Sequence, residues 1–332
     1  MATTLSISEM QKFHFGNKIF YADGEDGTLA QVIFDSSTRR LTHIGVRQGR
    51  LFGKTFSLPY SVVTSATANG IQLAIKRENA ATAHVAGVQG ALLDAKSVVE
   101  HVGAATGTLL MVAVHPENAE LAYLVARHLK DGQDTLIQQL YISGIAAGHV
   151  SVNIPADALK ALPPYRSDSD LQQEVEAAIF DFAPLHIDMK GIKVRVLDGV
   201  LYLDGNSSSA LRSDTITDQV LGVEGLLEIK NNLVSDDRLA ADLAMALGRD
   251  PRTRDLPIGV YPRLGVVRLS GAVHNSQQKA AASEIARQFP GVRSVINDLV
   301  IDAKTDLLHV MSAAEGGEAD DIVPGHYTRH TR

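Results

Sequence analysis

The sequence predicts an α+β multidomain fold, in which small β-barrels are followed by two αββαβ units. The first observation behind this prediction is a repeat in the C-terminal half, whose glycines recur at a constant spacing of 66 residues. The second is a set of short, alternating apolar runs in the N-terminal half, separated by Gly and Asp turns, which is typical of small barrels and sandwiches. The repeated glycines are Gly199, Gly205 and Gly225 in one copy and Gly265, Gly271 and Gly291 in the other. We expect these glycines to determine the fold, because they fall at turns and strand ends.

The composition favours several small domains with aliphatic cores. A chain of 332 residues predicts roughly two to four domains. Aromatic residues make up 5% of the chain and Trp is absent, so Val, Leu, Ile and Ala must fill the cores. The net charge of -7 argues against a protein dominated by contacts to nucleic-acid phosphates. The lack of Cys excludes disulfides, thiol catalysis and Cys-ligated metal sites.

The N-terminal sequence indicates a cytoplasmic protein. The segment MATTLSISEMQKFHFGNK has no basic stretch followed by an apolar one, so it does not resemble a secretory signal. The longest apolar runs, such as LLMVAV at residues 109–114, are far shorter than the roughly 20 residues that span a bilayer. We therefore expect no transmembrane segment, and any membrane contact to be peripheral, at the inner membrane face.

The N-terminal half contains a duplication of its own. Residues 27–47 align without gaps on residues 107–127, at an offset of 80. Beyond this block we match SLPYSVV, which begins at Ser57, to NIPADAL, which begins at Asn153. This match leaves residues 128–152 as a longer loop or an added strand pair in a more diverged second copy.

The order of these segments resembles a known barrel family. The order is a strand, an Asp/Gly turn, a strand, a basic turn, a strand, a Gly loop, and then a Leu-Pro or Ile-Pro followed by a short apolar helix. The first copy fits this order well, whereas the second lacks the Gly-rich loop in its usual place. This order resembles the PRC-barrel, the small β-barrel of the photosynthetic reaction-centre H subunit and of a ribosome-maturation factor. The resemblance implies a first PRC-barrel-like domain at residues 10–79 and a second, diverged one at residues 86–165. The Ala- and Gly-rich residues 80–90 would link them.

The repeat of the C-terminal half has the pattern helix, strand, strand, helix, strand. The sequence SDSDL at residues 167–171 is a helix N-cap signal, with acidic residues placed favourably for the helix dipole. Asp198 and Gly199 predict a tight hairpin turn between two alternating strands. In the second copy Pro262 replaces Val196, so that strand should lie at a sheet edge or stop earlier.

This repeat resembles the BON domain of bacterial osmotic-stress and envelope proteins, which often occurs in tandem. The matching residues are the GVLYLDG and GVVRLSG hairpins and the terminal NNLV and NDLV strands. The resemblance implies BON domains at residues 166–235 and 236–303. It also implies contact with phospholipid or envelope surfaces, as the PRC-barrel resemblance implies contact with other macromolecules. The remaining residues, 304–332, are polar, Gly-rich and aperiodic, which predicts a disordered tail.

The two BON-like copies differ in charge. Residues 167–235 carry five basic and twelve acidic side chains, a net -7, whereas residues 236–302 carry nine basic and eight acidic ones, a net +1. An anionic surface would therefore contact the second copy. The candidate contact residues are Arg249, Arg252, Arg254, Arg263 and Arg268. The alternative is a solvated loop in which the interleaved Asp250 and Asp255 neutralise the arginines.

No catalytic, cofactor or metal site is expected. The acids Asp23, Glu25 and Asp26 lack the spacing and closing Glu of a calcium loop. The histidines are scattered, and neither a Walker loop nor a GxGxxG motif occurs. Neither resembled family brings catalytic residues with it.

The sequence thus favours a non-enzymatic binding or scaffold protein with a stress-related role. We expect peripheral contact with an anionic phospholipid membrane or with a protein assembly. We also expect self-association, because small β-rich modules expose sheet edges. One alternative is a ribosome- or RNA-associated factor acting through the PRC-barrel-like domains, although the acidic net charge argues against nucleic acid as a partner. Another is an enzyme with a dispersed site.

Overall fold

The computed structural model describes residues 6–48, 53–101, 106–130, 132–162 and 164–304, and the fold is mixed α+β. Its N-terminal half is β-rich, as the alternating apolar runs predict. The strands of this half are β1 (Gln11–His14), β2 (Lys18–Tyr21), β3 (Gly24–Phe34), β4 (Leu41–Arg47), β5 (Thr55–Pro59), β6 (Val63–Thr67), β7 (Gly70–Leu73), β8 (Ala91–Asp94), β9 (Val98–His101), β10 (Thr106–Val114), β11 (Leu121–Lys130), β12 (Gln133–Gln138), β13 (Ile142–Ala146) and β14 (His149–Val152). Two short helices, α1 (Ala80–Ala83) and α2 (Ala156–Ala161), follow β7 and β14.

The strands form two seven-stranded sheets with the same order. One runs β5-β4-β3-β2-β7-β6 and the other β12-β11-β10-β9-β14-β13. The expected insertion at residues 128–152 is therefore wrong, because these residues form the end of β11 and then β12 to β14, the counterparts of β5 to β7. The 3-10 turn Tyr60–Val62 corresponds to Gln139–Tyr141. Pro59 precedes the first of these turns, and Gln138 takes its place in the second copy. The second copy therefore lacks the Leu-Pro pair at this point, and the sequence comparison matched the wrong segment to it.

Each sheet is completed by the first strand of the other copy. Strand β1 pairs with β10, with Gln11 opposite Val114, and strand β8 pairs with β3, with Ala91 opposite Phe34. The two pairings are equivalent, because Ala91 and Val114 lie 80 residues after Gln11 and Phe34, which is the offset between the two copies. The exchange makes the two sheets mutually dependent.

The two sheets also share one hydrophobic core. A single cluster of buried side chains contains Phe13 and Phe34 from the first copy and Leu93 and Val112 from the second. Burial of a large apolar side chain contributes about 1.5–3 kcal/mol, so residues of both copies stabilise the same cluster.

The C-terminal half contains two copies of the predicted αββαβ order. The first repeat consists of α3 (Asp168–Asp181), β15 (Ile192–Leu197), β16 (Val200–Ser207), α4 (Ala210–Val220) and β17 (Glu228–Ser235). The second repeat consists of α5 (Asp236–Arg249), β18 (Ile258–Arg263), β19 (Val266–Val273), α6 (Ser276–Gln288) and β20 (Ser294–Asn297), followed by a short strand β21 (Val300–Ile301). The sheet orders are β15-β16-β17 and β18-β19-β20, and β21 also pairs with β19. Pro262 lies inside β18, the outer strand, so the predicted edge position is confirmed and the strand does not stop early.

The chain divides into two compact units. The first unit comprises Met1–Ala183, Lys193–Leu203 and Ile216–Asn232, and the second comprises Pro184–Ile192, Asp204–Thr215 and Leu233–Arg332. The expected disordered tail lies outside the described residues, apart from Lys304. None of the helices in the described part of the chain is long and apolar enough to cross a bilayer.

An aspartate at the start of each first helix holds the hairpin of its own repeat. The carboxylate of Asp236 accepts hydrogen bonds from the backbone N of Leu264 (2.6 Å) and of Gly265 (3.1 Å). Asp168 accepts the same pair of bonds at the first hairpin, each at 2.8 Å. The sequence predicted that the acids at residues 167–171 favour the helix dipole, and the structure shows that Asp168 also accepts these backbone hydrogen bonds. We call this contact the hairpin clamp.

Glycine is required where the second strand of each repeat passes close to another backbone segment. Gly271 has a φ of +113°, and a Cβ there would overlap the carbonyl oxygen of Pro257. Gly205 is in the same position of the first repeat, with a φ of +110°, against the carbonyl oxygen of Gly191. The other four repeated glycines also have positive φ.

Several sheet edges are covered by the chain itself. The backbone N of Val85 donates to Ser57 on the outer strand β5 (3.0 Å), and that of Tyr165 donates to Asp134 on β12 (2.7 Å). The outer strand β18 carries Pro262, which lacks a backbone donor. Exposed edges at these strands therefore give less reason for self-association than the sequence suggested.

We predict that Asp236→Ala lowers the free energy of unfolding by about 2–4 kcal/mol, because two backbone donors lose their acceptor. The measurement is urea unfolding of the full chain followed by circular dichroism. The control is Asp242→Ala, whose carboxylate makes only a surface pair with Arg238 at 3.5 Å among the described residues. This substitution should cost less than about 1 kcal/mol. Equal effects of both substitutions would contradict a special role for the clamp.

We predict that Gly271→Ala destabilises the chain by about 1–3 kcal/mol, since it combines a strained φ with the overlap at Pro257. Gly248→Ala is the matched control, because Gly248 lies in α5, where an added Cβ would have no neighbour within 4 Å. That control should stabilise the helix by about 0.5–1 kcal/mol. Thermal unfolding of the two variants should therefore shift in opposite directions, and a parallel shift would refute the argument.

Candidate anion-binding groove

A groove of about 660 Å³ lies in the second compact unit, at the hairpin of the second repeat. It combines four basic side chains with apolar ones. The lining residues are Lys190, Tyr261, Pro262, Arg263, Leu264, Val266, Arg268, Arg293 and Ile296. This combination suits a ligand that has both an anionic and an apolar part.

The register of the three strands explains how the groove forms. Tyr261 on β18 is opposite Arg268 on β19, and Arg268 is opposite Ile296 on β20. All three are exposed, whereas their neighbours Val267 and Leu269 are buried in the core. Because side chains alternate along a strand, one face of the sheet packs in the core and the other presents the groove residues.

Most of the charge in the groove is not neutralised. Within the part of the chain that the structure describes, no carboxylate forms an ion pair with Lys190, Arg263 or Arg293. Arg293 donates only a long hydrogen bond, 3.4 Å, to the backbone oxygen of Leu264. Arg268 is the exception, with its Nε 3.5 Å from Asp298, in a pair that is half exposed on both sides. Three cations of the groove therefore have no acidic partner among the residues that the structure describes.

The five arginines singled out from the sequence fall into two groups. Arg263 and Arg268 line the groove, whereas Arg249, Arg252 and Arg254 do not and lie at the end of α5 and in the following turn. The sequence did not single out Lys190 or Arg293, which complete the groove. Arg293 directly precedes β20 and was counted in the positive charge of the second repeat, but Lys190 comes from the other repeat and gave no such signal.

Two of the turn arginines, Arg252 and Arg254, have acidic neighbours, as in the alternative of a self-neutralised loop. Arg252 contacts Asp250 at 2.9 Å and Glu284 at 3.0 Å. Hydrogen bonding to Asp250, and then to Glu284, raises the pKa of Arg252, and the same contact lowers the pKa of Asp250. Arg254 lies 3.8 Å from Asp255. These two cations are already paired, so they offer less charge to a partner.

The corresponding face of the first repeat is different in charge and is covered. Arg195 takes the position of Tyr261, and Tyr202 takes the position of Arg268. The guanidinium of Arg195 lies 4.6 Å from the centre of the Tyr202 ring. Its Lys230, at the position of Ile296, pairs with Glu228 at 2.7 Å.

The N-terminal segment of the chain lies against this face. The backbone N of Ser8 donates to Glu228 at 2.8 Å, and Lys230 lies 3.5 Å from the hydroxyl of Ser6. The first repeat therefore uses this face for an internal contact.

A buried polar cluster in the first compact unit is structural. Asp198 accepts from His14 (2.5 Å) and from the backbone N of Ala68 (3.0 Å), and it lies 3.9 Å from Lys12. Asp198 and Lys12 are 1% and 3% exposed, so a substrate has no access to either. Burial lowers the pKa of Lys12, and the nearby Asp198 opposes that shift. Among the described residues, no group of three or more His, Asp or Glu side chains could hold a metal ion.

Comparison with known proteins identifies the repeat. The sequence model of the BON domain family matches residues 167–234 and, a second time, residues 235–303. The chain therefore carries two tandem BON domains. The groove belongs mainly to the second BON domain, and Lys190 of the first one completes it.

A bacterial relative and two solved structures also resemble this chain. The Osmotically-inducible protein Y of Escherichia coli (strain K12) is 27% identical over 148 residues, which are 41% of this chain and 73% of that protein. Two structures of CdsD, a structural protein of the type III secretion system of Chlamydia trachomatis, are 19% and 18% identical, each with a TM-score of 0.33. They cover 44% and 46% of this chain, and 66% and 71% of their own chains.

We predict that Asp198→Asn destabilises the chain by about 3–5 kcal/mol, because the buried Lys12 ammonium loses its anionic partner. Adding Lys12→Met should recover part of this loss, since a buried pair replaced by neutral groups costs little. The measurement is a double-mutant cycle by urea unfolding. Strictly additive effects of the two substitutions would show that the two charges do not stabilise each other.

Proposed function

We propose that this protein is a non-enzymatic binding protein whose second BON domain contacts an anionic phospholipid surface. The observation that carries the proposal is the groove, where Lys190, Arg263 and Arg293 lack acidic partners among the described residues and lie beside the exposed Tyr261 and Ile296. Anionic headgroups attract such cations by about 1 kcal/mol per basic residue near the surface.

The apolar residues of the groove support a lipid ligand over a simple anion. Tyr261 and Ile296 are 60% and 41% exposed and lie on either side of Arg268 in the sheet. Tyrosine and aliphatic side chains favour the boundary between headgroups and acyl chains, where basic residues meet phosphate. The contact would be peripheral and would use the open face of one sheet.

The similar proteins support the wider role. The tandem BON domains and the similarity to a protein named for osmotic induction fit a stress-related protein without catalytic activity. We retain the inner face of the membrane as the proposed place of contact.

We further propose that the N-terminal half consists of two PRC-barrel-like modules that bind a protein partner or a second copy. Support comes from the repeated sheet order and from the strand exchange, which join both copies to one core. Such a half would act as a rigid scaffold to which the BON domains are attached. Light scattering over a range of concentrations tests the self-association, and a strict monomer at high concentration would remove it.

We predict that Arg263→Glu combined with Arg293→Glu lowers binding to anionic vesicles about tenfold or more, because two attractive charges become repulsive. The measurement is flotation with phosphatidylglycerol-containing vesicles, with phosphatidylcholine vesicles as the neutral comparison. The matched control is Arg249→Glu combined with Arg254→Glu, which changes the net charge equally outside the groove.

Two outcomes would count against the lipid contact. If the control pair weakens flotation as much as the groove pair, net charge rather than the groove determines binding. If the wild-type chain floats with neither vesicle type, the groove has a partner other than lipid. Raising the salt concentration should weaken the wild-type interaction, because exposed charges are screened beyond roughly a Debye length.

A further inference from the structure

The sequence beyond the described fold contains charges opposite to those of the groove. Residues 305–325 include five acidic side chains and no Lys or Arg. Four of these acids lie within seven residues and are followed at once by Ile322 and Val323. The four are Glu315, Glu318, Asp320 and Asp321. We call residues 315–323 the acidic segment. It pairs anions with apolar side chains, as a ligand of the groove must.

The first BON domain shows that this sheet face can take a segment of the same chain. Lys230 of the first BON domain is equivalent to Ile296 in the groove. Near the N-terminus, Ser6 contacts Lys230, and Ser8 contacts Glu228 on the same strand. The N-terminal segment thus occupies a face that is homologous to the groove. The face of the second BON domain holds no such segment among the described residues.

The described fold ends on the sheet that forms the groove. Strand β21 pairs with Ala272 and Val273 of β19, and the backbone N of Asp302 donates to Val273 at 2.8 Å. Arg268 lies five residues back along the same strand, which corresponds to about 17 Å. The acidic segment begins eleven residues after Lys304, and eleven residues span up to about 36–40 Å. The segment can therefore reach the groove of its own chain.

We propose that the acidic segment binds the groove of the same molecule and competes there with anionic lipid. Glu315, Glu318, Asp320 and Asp321 would meet Lys190, Arg263 and Arg293, and Ile322 and Val323 would contact Tyr261 and Ile296. A tethered ligand has an effective concentration in the millimolar range, so a weak contact is enough to occupy the groove. The competition rests on the proposed lipid function, whereas the binding of the segment does not.

The binding is tested by crosslinking. Because the chain contains no Cys, a disulfide within one molecule can form only between two introduced thiols. The test pair is Ser294→Cys, an exposed residue beside Arg293, with Ala319→Cys in the acidic segment. The control pair is Ser276→Cys with Ala319→Cys. Ser276 is an exposed residue at the start of α6, the helix that packs against the core face of the same sheet. Mild oxidation of dilute protein should yield an intramolecular disulfide at least about fivefold faster for the test pair, given millimolar effective concentration at the groove.

The crosslinking has clear outcomes. Arg263→Glu combined with Arg293→Glu should reduce the rate for the test pair to that of the control pair. Equal rates for both pairs in the native charge background would overturn the proposal. A disulfide that forms only between molecules would also overturn it, since it would place the segment in the groove of a second copy.

The competition is tested by vesicle binding of the full chain. Neutralising the segment with Glu315→Gln, Glu318→Gln, Asp320→Asn and Asp321→Asn should raise binding to phosphatidylglycerol-containing vesicles about threefold or more, because a tethered competitor is removed. The matched control neutralises four exposed acids of the first BON domain, which are Asp181, Asp214, Asp218 and Glu224. An equal rise in the control would show a net-charge effect and overturn the competition.

The two tests separate this proposal from the lipid proposal. If the wild-type and the neutralised chains both fail to bind vesicles while the test pair crosslinks, the lipid function fails and the segment contact stands. If vesicles bind but the test pair reacts no faster than the control pair, the lipid function stands and the segment contact fails.

Discussion

The hairpin clamp is the interaction on which the candidate site depends. A turn residue other than Gly adopts positive φ only at a cost, yet Leu264 has a φ of +47° and the following Gly265 one of +76°. The carboxylate of Asp236 accepts hydrogen bonds from both backbone N atoms and so stabilises this turn. Since Arg263 and Leu264 line the groove at the turn itself, the first residue of α5 determines where the groove lies.

One position of the repeat separates the roles of the two BON domains. Leu264 and Asp198 occupy equivalent turns, 66 residues apart, and both have positive φ. In the second domain this position presents an apolar side chain to the groove. In the first domain it presents a carboxylate, which is buried against Lys12, His14 and the backbone of Ala68. The same backbone thus supports an open face in one copy and an internal contact in the other.

The sequence predicted the parts of the structure that depend on local pattern. Helix caps, alternating strands and repeated glycines gave the αββαβ order, and the charge difference indicated the second copy, including Arg263 and Arg268. Lys190 could not be predicted, because it joins the groove through packing with a segment distant in sequence. The strand exchange of the N-terminal half leaves no sequence signal either, since β1 and β8 would show the same alternation in either sheet.

The two duplications in this chain have opposite consequences for function. In the N-terminal half each copy gives its first strand to the other, so both copies bury their apolar surface in one cluster and neither remains independent. In the C-terminal half each copy keeps its own sheet and clamp, so the outer face of a sheet can change without loss of the core. A new binding surface arises most readily under the second condition, because substitutions at exposed strand positions cost little stability. Arg263 and Arg268 stand at such positions beside Tyr261, and Arg268 lies on the face opposite Val267 and Leu269.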